Sequence, residues 1–256
     1  MPDAAPPTAP SARTRVNRYR WLAHYDRETI YAILDAMPVA HVGYIHDGAP
    51  IVTPTLQWRE GDRIYWHGAA HGRMMKATSE AEVCLTVSIL DGLVLARAAY
   101  NFNINHRSVM VFGQPEAVTE PTEKTRLLKR FVDGYVPGQW ERLRPVTEQE
   151  IGATAILSLP LTEASAKLRA GPPEDGEDDY DFPVWAGVLP INLTVGAPEP
   201  DPRNQPGVEV PPLPLYLPDR LMDAYPCFSA SRRRASRYLH RLVDGSRSYN
   251  QDGGTR

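Results

Sequence analysis

The stretch IYWHGAAHGRMMKATS, residues 64–79, places His67, His71, Arg73 and Lys76 within ten positions, with Gly68 and Gly72 between them. It reads as a strand that hands over to a short helix. A turn that opens a helix collects unpaired backbone N–H groups at its positive end, so residues 70–74 suit an anion. Arg73 adds a planar fork of donors and Lys76 a point charge one turn on, a combination that fits phosphate. The glycines let a ligand approach the backbone. The pattern is short, and a solvated surface turn is its commoner origin.

Other residues able to do chemistry are scattered. His41 alternates with Val39 and Tyr44 on a strand pattern and reads as a core or interface group, and His24 as a surface group. Arg97 and Arg107 flank the loop-like AAYNFNINH and either stand exposed or meet a phosphate or a partner subunit. Trp66 and Trp185 read as core aromatics, Trp185 also as a pocket wall. PEDGEDDYD reads as a solvated loop. No Cys/His set has zinc spacing, and no Gly-x-Ser-x-Gly elbow occurs.

These groups need a scaffold. YDRETIYAILDAM opens with Asp26 at an N-cap position and repeats Ile30, Ile33, Leu34 and Met37 at helical spacing. VAHVGYI and IVTPTLQW flank an Asp47-Gly48 turn and read as a hairpin, and GDRIYWHG extends it to a three-stranded meander. EVCLTVSIL is a fourth strand and RSVMVFGQPEAV a fifth. EKTRLLKRFVDGY is a helix with Leu127, Leu128 and Phe131 on one face. ATAILSLPLTEASAKLRAG supplies the last one or two strands. The order predicts a mainly β fold, an antiparallel β-barrel with flanking helices.

The chain has 256 residues, 42% hydrophobic and 23% charged, with a formal net charge of −3. It is long enough for a sizeable core, and its charge gives no reason to expect a nucleic-acid partner. Its apolar runs are too short to span a membrane, no apolar leader is visible, and Cys84 and Cys227 do not form a disulfide framework. A cytoplasmic protein is expected. Prolines 2, 6, 7 and 10 predict an arm without structure over 1–18; the folded domain covers 19–195; a Pro-rich, locally basic tail covers 196–256. In that tail Leu215, Leu217, Leu221, Met222 and Phe228 form either a strap docked on the barrel or part of a disordered segment. SRRRAS offers few phosphate contacts and no stacking platform.

Three linked segments, PIVTPTLQW, RIYWHGAAHGRMMKATSEAEVCLTVSIL and HRSVMVFGQPEAV, resemble the pyridoxamine 5′-phosphate oxidase-related flavin-nucleotide-binding proteins, a group that includes nitroimidazole-resistance reductases. The likeness continues through VWAGVLPI and covers about Arg20 to Val195. It implies an FMN-binding split β-barrel, a homodimer with flavin at the subunit interface, and FMN contacts from Thr53, Pro54, Thr55, His67, Gly68, Arg73, Met74, Lys76, Arg107 and Ser108. Trp185 would wall the substrate pocket. The vitamin-oxidising members of the group usually carry Arg-Lys where this chain has Arg73-Met74, leaving Lys76 as the second cation. They also carry a His-rich stretch and a tyrosine where this chain has NFNINH.

A bound flavin brings its own redox chemistry, so the absence of an acid–base dyad is no obstacle. The first reading is a flavin-dependent oxidoreductase acting on a small molecule, with a nicotinamide cofactor as a candidate donor. A non-catalytic flavin carrier is the second. A haem or deazaflavin binder on the same barrel is the third, which the missing His-rich stretch makes less attractive. A second copy is expected to cover sheet edges and the side chains of Val109, Val111 and Phe112.

Overall fold

The structure is a computed structural model that describes residues 8–211. The expected strap and basic cluster lie outside the described residues. Asp26 caps the first helix by accepting from the Thr29 amide at 2.8 Å, and α1 (Arg27–Ala36) buries Ile30, Ile33 and Leu34. Buried Gln57 fixes the end of α1, its Nε2 donating to the carbonyls of Leu34 and Met37, each at 2.6 Å. β2 (Val39–His46) and β3 (Ala49–Glu60) form the expected hairpin. At its turn Asp47 and Gly48 take φ values of 50° and 75°, which a two-residue connection between twisted strands requires. β4 (Arg63–Ala69) completes the meander on β3.

The next strand crosses to the other side of the meander. β5 (Val83–Leu95) pairs with β2 through Thr86–His41 and Cys84–Gly43, and β6 (Asn103–Gly113) returns along β5 past a bulge between Leu90 and Gly92. The run expected as one fifth strand is divided into β6 and β7 (Glu116–Val118), because the backbone turns at Gly113 with φ 153°. α3 (Pro121–Tyr135) follows as expected. α4 (Glu148–Ala153) was not anticipated, although Thr147 and Glu150 form a capping box before it. β8 (Thr154–Pro160), β9 (Ala164–Arg169) and β10 (Gly187–Pro190) end the domain.

Every pairing is antiparallel, in the order β1–β9–β6–β5–β2–β3–β4–β8–β7, with β1 at Ala23–His24 and β10 added on β5. The path does not close: β8 lies on β4 and β9 on β6, joined by a 3-10 turn at Leu161–Glu163. This is the expected antiparallel split barrel with flanking helices. Strand alternation then makes two cores. Val42, Trp66, Leu85 and Leu159 fill the barrel with α1, while Trp58, Tyr65 and Ile156 face outward against Leu127 of α3.

The pleat also corrects one expectation. Val109 and Val111 are both 0% exposed inside the barrel and cannot meet a second subunit; Met110 between them faces out, and half-buried Phe112 lies 5.4 Å below the Arg13 guanidinium. Residues 8–18 run against the barrel, with Thr14 buried and Arg13 paired to Glu82 at 2.9 Å and to Glu163. Among the described residues no helix is long and apolar enough to cross a membrane.

Candidate functional site

β4 ends at Ala69, and α2 (Arg73–Ser79) starts four residues later, packed against β2, β4 and β8. Gly68 has a packing reason: a Cβ there would stand 3.0 and 3.1 Å from Cγ and Sδ of buried Met75. Two of the turn amides are satisfied within the fold, Ala70 by the Ala153 carbonyl and Gly72 by the Ala69 carbonyl, both at 2.8 Å. The amides of the first turn of α2 have no intrahelical acceptor, and the side chains beside them complete what an anion could meet. His71, Arg73 and Lys76 are exposed, and among the described residues none has an acidic partner. Arg59, Arg63, Arg97, Arg107, Arg126 and Arg144 all do. Met74 turns inward against the barrel core, so its position supplies packing and Lys76 is the second cation.

On β3 the pleat separates three expected neighbours. Thr53 and Thr55 are register partners of buried Val42 and Ala40 and share their inner face; the Thr53 hydroxyl lies 3.4 Å from that of Tyr44. Pro54, opposite His41, is exposed on the outer face. His67 leaves the α2 turn altogether. Its ring packs 4.8 Å from Phe131 and 5.9 Å from Trp58 beneath α3, and Phe131 continues to Tyr135 at 5.0 Å. Nδ1 is buried without a hydrogen bond in the structure, and burial pushes the imidazole below its ordinary value of 6.5, so the ring is neutral at neutral pH.

Arg107 and Ser108 point to opposite sides of β6. Arg107 turns inward, where Nε and Nη2 donate to both oxygens of Asp91 at 2.9 and 2.7 Å, with the two side chains only 4% and 5% exposed. Ser108 faces outward and donates to the Lys167 carbonyl at 3.4 Å. His106, on the same outer face, is half-buried; burial first, then Lys167, pushes its imidazole down. Trp185 is 60% exposed beside β10. The α2 turn therefore gathers Gly68, Arg73, Met74 and Lys76, while Thr53, Thr55, His67, Arg107, Ser108 and Trp185 lie elsewhere on the chain.

Two acids escaped sequence reasoning. Asp91 is the partner that neutralises Arg107, and its signal was a carboxylate inside the apolar run SILDGLVL, which burial forces to find a cation. Asp175 sits in the acidic loop read as solvated, yet its side chain is 0% exposed. It accepts from the amide and Nη1 of Arg97 at 3.1 Å and from Asn101 at 3.2 Å, which pins the loop before β6. Among the described residues no cluster of His, Cys, Asp and Glu is placed to hold a metal ion through protein ligands alone.

Residues 26–168 match the family model described as pyridoxamine 5′-phosphate oxidase. The solved structure of the flavocytochrome Anf3 from Azotobacter vinelandii is 60% identical across 80% of this chain and 96% of that one, with a TM-score of 0.78. The FAD and heme binding protein from Mycobacterium smegmatis is 32% identical across 75% of this chain and 94% of that one, with a TM-score of 0.71. Among curated proteins none matches.

Proposed function

The chain belongs to the pyridoxamine 5′-phosphate oxidase family, and from that premise we propose that it is a flavin-dependent oxidoreductase that acts on a small molecule and carries a haem as well as a flavin. The observation that carries the flavin is the α2 turn, where Arg73 and Lys76 stand exposed with no acidic partner among the described residues. Two unpaired cations on one turn suit the phosphate end of a flavin nucleotide. FMN needs no more than this. FAD, the flavin named for the Mycobacterium smegmatis relative, is the second reading and is favoured by that protein's 32% identity. The haem rests on the 60% identity to a flavocytochrome over 80% of the chain, a likeness that outweighs the missing His-rich stretch before Arg107.

Such cofactors supply hydride and one-electron chemistry when bound. The chain's own work is to bind and orient. Arg73 and Lys76 hold the phosphate, and neutral His67 keeps the wall of β4 and α3 apolar behind the turn. A homodimer brings together groups that one chain leaves apart. Leu90, Leu93, Tyr100, Phe102 and Ile104, 41–87% exposed around the end of the β5–β6 hairpin, form an apolar patch that a second copy covers. The cytoplasm, where reduced nicotinamide is available as donor, suits a chain with two cysteines, of which Cys84 is free.

The absorption spectrum of the purified full-length protein tests the proposal. Flavin bands together with a Soret band are expected, and chromatography of the heat-released flavin identifies FMN or FAD. Flavin bands alone would remove the haem. Neither band would overturn the whole reading. Sedimentation as a monomer at micromolar concentration with flavin bound would remove the dimer.

A further inference from the structure

The chain separates its charges. Residues 11–22 carry Arg13, Arg15, Arg18 and Arg20 and no acid, whereas residues 170–186 carry six acids, from Glu174 to Asp181, and no lysine or arginine. Arg13 is taken by Glu82 and Glu163, and Asp175 by Arg97. The rest stand open. Arg15, Arg18 and Arg20 in the first segment, and Glu174, Glu177, Asp178 and Asp181 in the second, are exposed, and among the described residues none has an oppositely charged partner.

The two sets lie on opposite flanks of one outer sheet face. Leu189 of β10, Leu93 of β5 and Ile104 of β6 are register neighbours in a single row, each 41–45% exposed. Farther across the sheet, His106 of β6 pairs with Arg169 of β9, and Lys167 of β9 pairs with Ala23 of β1. Residues 15–21 lead into β1 and stay beside β9 through the Tyr19 ring, which meets Arg18 at 4.9 Å and Lys167 at 5.9 Å. The acidic loop enters β10 at the other side, and Asp175 ties it to the tip of the β5–β6 hairpin at Arg97 and Asn101. Each flank also exposes aromatic rings, Trp21 on the basic one and Tyr180, Phe182 and Trp185 on the acidic one.

An apolar centre between a basic and an acidic flank is self-complementary under a two-fold rotation about an axis that runs between the flanks, because the rotation lays each flank over its opposite. We propose that this face is the interface with a second copy of the chain, and that residues 15–21 of each copy clasp residues 174–185 of the other. The assignment rests on the homodimer reading above. Arg15, Arg18 and Arg20 gain carboxylates, and their guanidiniums gain the faces of Tyr180 and Phe182. The Leu93 row closes on its own copy near the axis. A nucleic acid would meet the basic flank but would be repelled by the acidic loop on the same face and would leave the apolar row in water.

The full-length protein is compared with two charge-reversed forms, Arg15→Glu/Arg18→Glu/Arg20→Glu and Glu177→Lys/Asp178→Lys/Asp181→Lys. Each form alone sets like charges against each other in both contacts. Each is expected to dimerise at least about a hundredfold more weakly than wild type in sedimentation, with its far-UV circular dichroism unchanged. Mixed in equal amounts, the two forms are expected to associate as a heterodimer, since both contacts then join opposite signs. The wild-type dimer is expected to weaken about tenfold or more between roughly 50 and roughly 500 mM salt, a measurement that holds even where a reversed form does not fold. Retained dimers in both forms, two monomeric forms that stay apart when mixed, or a wild-type dimer indifferent to salt overturns the clasp and leaves the dimer to another face. A monomeric wild type brings down the homodimer reading itself, and the clasp with it; if that monomer shifts in a titration with nucleic acid, the basic flank belongs to a polyanion instead.

Discussion

Arg73 and Arg107 are both arginines in segments that resemble flavin-binding motifs, yet the fold treats them in opposite ways. Arg107 lies inside the barrel with its fork closed on Asp91, whereas Arg73 stands in water at the start of α2 with its donors free of any acid among the described residues. The pleat of β6 decides the first case, since Arg107 alternates in step with buried Val109 and Val111. A desolvated guanidinium must be neutralised by the protein that buries it, while an exposed one remains available to a ligand. The same residue type thus serves the fold in one place and is free for function in the other.

The contrast is broken most directly by removing Arg107. Arg107→Ala leaves Asp91 buried and unpaired and should cost about 3–5 kcal/mol of stability, read as a large fall in the thermal midpoint. Replacing the pair together, Arg107→Met with Asp91→Leu, should restore most of it. A mild effect of the single change would mean that the pair is not the closed structural unit described. Arg73→Ala should do the reverse. It should keep stability within about 0.5 kcal/mol and weaken flavin by roughly tenfold to a hundredfold, about 1.5–3 kcal/mol, in a fluorescence titration; unchanged affinity would put the phosphate elsewhere.

Gly68→Ala sharpens the boundary between the two classes. Its new Cβ would crowd the Met75 side chain, and about 1 kcal/mol of stability should be lost while flavin affinity holds. Weaker flavin with an unchanged melt would instead give Gly68 to the ligand. The smallest expected effect is a pH dependence. Burial holds the His67 imidazole below 6.5, so below that pH the unfolded chain takes up a proton that the folded one still refuses. The stability this contributes is whole above pH 6.5 and is lost as the pH falls through the lower folded value. Half-buried His106 acts with the same sign. The thermal midpoint should drop between pH 7 and 5, and His67→Phe should narrow the drop; an unchanged drop would assign it to other groups.

Local periodicity and turn chemistry made most of the fold legible. The Asp26 cap, the Asp47-Gly48 hairpin, the meander and the apolar face of α3 each depend on contacts within a few residues of one another. What escaped depends on pairing at a distance. The crossing of β5 to β2 and the burial of Val109 follow from register between separated strands, which no local pattern specifies. The site divides in the same way. The α2 turn is continuous in sequence and its cations lie together as read, whereas β3 sends Thr53 and Pro54 to opposite faces by simple alternation. His67 is adjacent to the turn in sequence, yet the pleat packs its ring under α3 against Phe131. Asp175 looked solvated in an acidic run because its partners, Arg97 and Asn101, come from a distant loop.

The unclosed order of the sheet sets a schedule for the chain as it is made. β4 and β6 are complete by residue 113, yet their outer edges are filled only when β8 and β9, residues 154–169, have been added. At the pace of translation that interval is on the order of 3–10 s, far longer than a hairpin needs to form. Throughout it the nascent chain presents two unpaired strand edges, surfaces that template strand addition between molecules. The yield of folded protein in a cell is then governed by what occupies those edges, a chaperone or a neighbouring chain, before residue 169 leaves the ribosome.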